Sequence, residues 1–91
     1  MVIKFYFSSI TSNLGIKKHQ QRIEMILSSK KYEYESIDIA HDETAKERMR
    51  ELMGDPKGLP PQLCNDDTYL GGFEEFQDAV DDEKLEAFLK I

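Results

Sequence analysis

The feature that most constrains the fold is an apolar strand at residues 2–8, close to the start of the chain. Ile3, Phe5 and Phe7 lie on one face of this strand, and Tyr6 lies on the other. Successive side chains of a strand point to opposite faces, so both faces here carry apolar groups. This pattern is typical of a central strand that is covered on both sides. We therefore expect a sheet with helices packed against each of its faces.

The other predicted elements follow from caps, apolar periodicity and turn residues. They are a helix entered through Thr11, Ser12 or Asn13 and running to about Ser29, a strand at Tyr32–Ile39, a helix between Asp42 and Gly54, a hairpin of residues 60–64 and 68–70, a helix opened by Gly71 and Gly72, and a last helix capped by Asp81 or Asp82. The first strand, helix and strand require parallel pairing, whereas the hairpin is antiparallel. The order β-α-β-α-β-β-α-α predicts an α/β fold, a thioredoxin-like four-stranded mixed sheet with helices on both faces.

Length and composition place this chain among single-domain, intracellular proteins. Its 91 residues fit one domain, residues 1–91, and one cysteine excludes an internal disulfide. Without a secretory signal or an apolar run of roughly 20 residues, we expect a cytoplasmic protein, small enough to diffuse into the nucleus, with no membrane association. The 12 basic and 18 acidic residues give a net charge of −6, which argues against nucleic acid as a partner. We expect a monomer.

Charge is distributed unevenly along the chain. Residues 1–31 hold six cations and one acid, whereas residues 66–91 hold nine acids and two cations. Lys17 and Lys18 fall near the start of the first predicted helix, where cations oppose the helix dipole. Two interpretations stay open: these lysines form a patch for an acidic ligand or partner segment, or their long side chains simply extend into water.

The loop after the first strand lacks the chemistry that this architecture often places there. A cysteine at the following helix N-terminus has a lowered pKa and is suited to thiol chemistry. Residues 8–15 contain no thiol, and serine cannot replace a thiolate in disulfide exchange. His19 and His41 lie on separate elements without the spacing of metal ligands. The sequence therefore predicts no dithiol oxidoreductase, no metal site and no catalytic residues.

Cys64 is the one thiol in the chain, and it falls in the predicted third strand. It has two interpretations: a buried, inert core thiol, or a redox-sensitive site that is oxidised or glutathionylated. Acidic Asp66 and Asp67 follow closely and would raise rather than lower its pKa. This proximity weakens the second interpretation.

Two backbone features are candidate ligand contacts. Pro61, the second of two adjacent prolines, is predicted to be cis and either to pair with an extended ligand through exposed backbone or only to shape the turn. Gly71 and Gly72 precede a helix N-terminus, which offers N–H donors to an anion. Glu74 and Glu75 follow them and would satisfy the helix dipole internally.

Several segments, spread over essentially the whole chain, resemble the SH3-domain-binding glutamic-acid-rich-like protein family. They are Ile16-Lys-Lys-His-Gln-Gln, Met49-Arg50, Pro60-Pro61-Gln62 and Tyr69-Leu-Gly71-Gly-Phe-Glu-Glu-Phe76. The resemblance is to the short form, without a glutamate-rich tail. It implies a glutaredoxin-like branch of the thioredoxin fold that lacks the Cys-x-x-Cys pair. It also implies adaptors or modulators rather than enzymes.

The chain departs from the family pattern at two places. Gly58 stands where longer members begin Pro-Leu-Pro-Pro, so the PxxP spacing of an SH3 ligand is not kept. Phe73 stands where glutaredoxins place polar anion-binding residues after the paired glycines. SH3 binding and glutathione binding are therefore both open for this chain.

Together these observations predict a non-catalytic interaction or adaptor module that binds proteins or extended peptides and needs no cofactor. The candidate groove consists of Ser9, Lys17, Lys18, Pro61, Gln62, Gly71, Gly72 and Phe73. The alternative is a protein that retains glutathione binding or monothiol redox chemistry through Cys64.

Overall fold

The computed structural model describes residues 2–91. Its elements are β1 (Ile3–Phe7), α1 (Leu14–Ser29), β2 (Tyr34–Asp38), α2 (Glu43–Met53), β3 (Gln62–Asn65), β4 (Thr68–Gly72), α3 (Phe73–Asp81) and α4 (Leu85–Leu89). The four strands form one sheet in the order β2-β1-β3-β4. β1 is parallel to β2 and antiparallel to β3, and β3 is antiparallel to β4. The predicted α/β thioredoxin-like fold and its order of elements are confirmed.

β1 lies inside the sheet and buries both of its faces, as its alternating sequence indicates. Ile3 and Phe5 belong to a cluster that includes residues of α1, α3 and α4. Tyr6 points to the opposite face, where it joins a smaller cluster with Met49 of α2 and Cys64 of β3. Helices on both faces of the sheet therefore exclude water from both sides of β1.

Local capping signals correctly located the first two helices. The side chain of Asn13 accepts a hydrogen bond of 3.0 Å from the backbone N–H of Ile16 at the start of α1. Asp42 accepts one of 3.0 Å from the N–H of Ala45 at the start of α2. Gly54 ends α2 with φ +71°, a left-handed conformation that glycine adopts without a Cβ penalty.

The bounds of the later elements differ from the prediction. Gly71 and Gly72 pair with β3 as part of β4, so α3 begins only at Phe73. α4 begins after Lys84, which makes no side-chain cap, rather than after a capping aspartate. Burial of its apolar side chains, rather than capping, accounts for its position. Within residues 2–91 no helix is both long and apolar enough to cross a membrane.

Candidate functional site

The loop between β1 and α1 is held by a buried glutamine of α1. The backbone N–H of Ser8 donates to Oε1 of Gln20 at 2.8 Å, and Nε2 of Gln20 donates to the Ser8 carbonyl at 3.0 Å. Gln20 is only 8% exposed, so this pair of bonds satisfies a polar side chain in the interior. The start of the loop is consequently anchored rather than free.

A carboxylate at the end of β2 links this loop to the one that precedes α2. Oδ1 of Asp38 accepts hydrogen bonds from the backbone N–H groups of Ser9, at 3.1 Å, and Ala40, at 3.0 Å. Burial opposes ionisation of Asp38, but these hydrogen bonds and nearby His41 lower the pKa of Asp38. The ionised carboxylate therefore fixes the relative positions of two loops at one end of the sheet.

The segment that enters β3 is packed into the fold. The Pro60–Pro61 peptide bond is cis, and Pro61 is buried. Nε2 of Gln62 donates to the Leu59 carbonyl at 2.7 Å, and Oε1 of Gln62 accepts from the Tyr69 hydroxyl at 2.7 Å. Gln62, which was predicted to line the groove, is only 9% exposed. Its side-chain amide forms hydrogen bonds within the protein.

Of the two interpretations of Pro61, the geometry favours a role in shaping the turn over pairing with an extended ligand. Pro60 and Pro61 have no N–H group to donate to a ladder, and the carbonyl of Leu59 already accepts from Gln62. Pro61 is also buried rather than exposed, which disfavours strand pairing with an extended ligand at this position.

Both paired glycines are buried and closely packed. A Cβ on Gly72 would lie 3.1 Å from Oε1 of Gln62, and one on Gly71 would lie 2.9 Å from Cβ of Glu75. Gly71 also has φ +146°, which other residues rarely adopt. Glu74 and Glu75 occupy the first turn of α3. The glycine pair therefore has a packing role, and the acidic turn opposes a bound anion.

The remaining predicted residues do not meet in one groove. The ring of Phe73 stacks on that of His19, with centroids 3.8 Å apart and planes 2° apart. Ser9 and Lys17 line a cavity of about 320 Å³ on the α1 side of the β1–α1 loop. Lys18 is exposed on α1. The predicted set is thus divided between the surface and the interior.

The structure shows a different groove, which we call the α2 groove, on the other side of the same loop. It has a volume of about 410 Å³. Its apolar wall comprises Ile10, Ile16, Ile39, Leu59 and Pro60, and its charged wall comprises Glu43, Lys46 and Arg50 of α2. The groove lies where the β1–α1 loop, the start of α2 and the segment before β3 converge.

Two exposed aliphatic residues on this groove were missed by the sequence analysis. Ile10 is 68% exposed and Leu59 is 59% exposed, although both are large apolar side chains. Neither belongs to a periodic helix or strand pattern, so periodicity does not identify them. The available signal was composition: each is an aliphatic residue within a loop of small, polar, glycine or proline residues.

Cys64 lies in the interior, in the smaller core cluster with Tyr6 and Met49. Its exposed fraction is 0%, and burial raises its pKa to about 11, despite the opposing charges of Lys4 and Arg48. Asp67 contributes to the increase, in the direction that the sequence predicted. No cluster of three or more potential metal ligands occurs among residues 2–91.

The segment that would correspond to an SH3 ligand is also part of the packed structure. Gly58 is buried, and its carbonyl accepts a hydrogen bond of 3.1 Å from Nε of Arg50. A Cβ at this position would overlap the end of the Met53 side chain, so a larger residue here would require that side chain to move. Gly58 and Pro61 are therefore packed into the fold, whereas Leu59 between them is exposed.

Comparison with known proteins gives both a family and a set of structural neighbours. The family profile described as SH3-binding, glutamic acid-rich protein matches residues 1–91. The SH3 domain-binding glutamic acid-rich protein homolog of Drosophila melanogaster is 42% identical over 105 residues. That match covers 100% of this chain and 65% of the relative, so the chain spans just under two thirds of the length of this relative.

Solved structures with the same fold have low sequence identity. The C. albicans actin interacting protein Aip5 has a TM-score of 0.78 at 23% identity, with 97% of this chain and 87% of that chain covered. A buckwheat glutaredoxin–glutathione complex has a TM-score of 0.70 at 12% identity, with coverages of 97% and 76%. These likenesses establish a glutaredoxin-like scaffold.

Proposed function

The chain belongs to the family of SH3-binding, glutamic acid-rich proteins, and we propose that it is a non-catalytic interaction module whose α2 groove receives partner proteins. The main support is the groove itself, where Ile10 and Leu59 expose aliphatic surface beside well-anchored loops. Exposed apolar groups that line a cavity are typical of binding sites. The printed name of the Drosophila relative describes SH3-domain binding, and that of the C. albicans neighbour describes actin interaction.

Absence of redox chemistry is part of this proposal. Residues 8–15 contain no thiol, and Cys64 is buried with a raised pKa. The nucleophile in thiol exchange is an accessible thiolate, which Cys64 does not present. Glu74 and Glu75 at the start of α3 also oppose the carboxylates of glutathione. These features support interaction in place of residual glutathione or monothiol chemistry.

We propose that partners bind in the α2 groove, and that an SH3 domain does not bind the proline segment as its extended ligand. An SH3 domain recognises an extended PxxP segment along its length. Here the spacing is not kept, and Gly58 and Pro61 are buried. Cytoplasmic localisation and a monomeric state remain predictions, which imaging of a fluorescent fusion and sedimentation of the purified chain would test.

Quantitative affinity capture with a matched pair of variants tests the proposed function. Leu59→Glu places a charge on the groove, whereas Met25→Glu places one on α1 at a similarly exposed position, 55% against 59%. We expect Leu59→Glu to lose the partners of the wild type, and Met25→Glu and Cys64→Ala to keep them. Partners that survive Leu59→Glu in a folded protein, or that require the Cys64 thiol, would refute the proposal.

A further inference from the structure

We propose that the α2 groove selects an extended partner segment in which an aliphatic side chain lies beside a carboxylate. This inference rests on the proposed function and specifies the chemistry of the partner. It follows from the lining of the groove, where aliphatic side chains and the polar Ser8 and Thr11 lie beside the charged residues Glu43, Lys46 and Arg50 of α2. The aliphatic residues favour an apolar side chain of the partner, and the cations favour a carboxylate. A partner segment that carries both groups contacts both kinds of residue at once.

The aliphatic residues provide the site for an apolar side chain. Ile10 and Leu59 are exposed on two loops that border the same cavity, and Ile39, only 6% exposed, contributes to it from the core. A side chain inserted there would remove apolar surface of both loops from water, which favours binding. A charged group packed against these aliphatic side chains would lose hydration.

Arg50 is the central group among the cations that line the groove. It is half-buried, and the 3.1 Å bond from its Nε to the Gly58 carbonyl orients its guanidinium. Within residues 2–91, Arg50 forms no ion pair with a carboxylate. A planar, oriented guanidinium is well suited to bind a carboxylate through two parallel hydrogen bonds. The bound carboxylate would then occupy the charged side of the groove.

The groove itself has a small excess of positive charge among the residues that line it. Lys46 lies one turn before Arg50 on α2 and also lines the groove. Across the β1–α1 loop, Lys17 and Lys18 belong to α1, whose first turn contains no acid. Glu43 is the one acid on the groove, and its Oε2 lies 3.3 Å from Nζ of Lys46. The lining of the groove thus holds two cations and one acid, which favours an acidic segment. Glu47, Glu51 and Asp55 border Arg50 in a separate cavity.

The proposal is tested with a phage-displayed library of random linear peptides selected on the wild-type protein. Peptides that bind are synthesised, and their affinities are measured by fluorescence anisotropy for the wild type and three variants. We expect the selected peptides to share an aliphatic residue close to Asp or Glu. Amide NMR shifts on binding should occur at Ile10, Leu59 and Lys46, while the Gly58 amide reports whether each variant keeps the local structure.

The variants are expected to change the peptide affinity in opposite directions. Lys46→Gln should weaken binding roughly two- to fivefold, and Glu43→Gln should strengthen it by a similar factor, as expected for one surface charge. Arg50→Lys keeps the charge but loses the planar pair of donors, and it should weaken binding about tenfold or more.

Other outcomes would overturn the inference in distinguishable ways. In one such outcome, peptides bind in the groove without an acidic residue and with the same affinity for the wild type, Lys46→Gln and Glu43→Gln. That result would refute recognition of a carboxylate and leave the proposed function intact. Failure to select any peptide, or shifts confined to surfaces away from the groove, would refute peptide recognition here. The affinity-capture experiment with Leu59→Glu would then decide separately whether the groove binds folded partners.

Discussion

The rate at which Cys64 is alkylated distinguishes an interaction module from a protein with residual thiol chemistry. The structure predicts how far this rate falls below that of an accessible thiol. Burial raises the pKa of this thiol from 9.0 to about 11. Near neutral pH the thiolate fraction is therefore about 100-fold lower than that of a thiol with the ordinary pKa. The exposed fraction of Cys64 is also 0%, so a bulky reagent additionally requires the structure to open. If opening needs global unfolding by about 5 kcal/mol, the reactive population is on the order of 10⁻⁴.

The assay follows alkylation of the native protein by iodoacetamide with intact-mass spectrometry. The reference is a peptide of residues 60–68, which carries the same thiol and the neighbouring Asp66 and Asp67. We expect labelling of the folded protein to be at least about 100-fold slower than labelling of the peptide, and to accelerate as urea unfolds the chain. Labelling within tenfold of the peptide rate, independent of urea, would show that the Cys64 thiol is accessible and restore it as a redox candidate.

Two further predictions concern the side chains that hold the loops. Gln62→Ala leaves the Tyr69 hydroxyl and the Leu59 carbonyl without this partner, and it should lower the free energy of unfolding by about 1–3 kcal/mol. Urea titration measures this change, and the exposed control Gln21→Ala should change the free energy by less than about 0.5 kcal/mol. Equal effects of the two substitutions would contradict the prediction. Because the folded-state pKa of Asp38 is lowered, its stabilisation is complete above the unfolded-state pKa and is lost as pH falls through the folded value. Asp38→Asn should therefore flatten the decrease in unfolding free energy below about pH 4, whereas an unchanged acid profile would contradict this role.

The fold was predictable where local signals and burial agree. Asp42 and Gly54 bound α2 through their own backbone and side-chain geometry, which depends little on the rest of the chain. The two apolar faces of β1 required a sheet covered on both sides, and the structure has one. The start of α4 was not predictable from a cap, because Lys84 makes no side-chain cap there.

The candidate site was less predictable because its contacts join distant parts of the sequence. Gln62 was assigned to the groove from its position beside the prolines, but its amide bonds to Leu59 and to the hydroxyl of Tyr69 on β4. Ile10 and Leu59 are 49 positions apart, and only the folded chain places them on one cavity. Sequence patterns identify the loops at this end of the sheet, whereas tertiary packing determines which side chains stay exposed.

Photo-crosslinking from a single groove position tests whether the α2 groove is the interaction surface. A photoreactive amino acid is placed at position 59 or at position 25, two exposed apolar sites on different surfaces, and the adducts are identified by mass spectrometry. We expect discrete protein adducts from position 59 that position 25 does not form and that persist when Cys64 is replaced by alanine. Equal adducts from both positions, or none from position 59, would contradict the assignment of the α2 groove as the interaction surface.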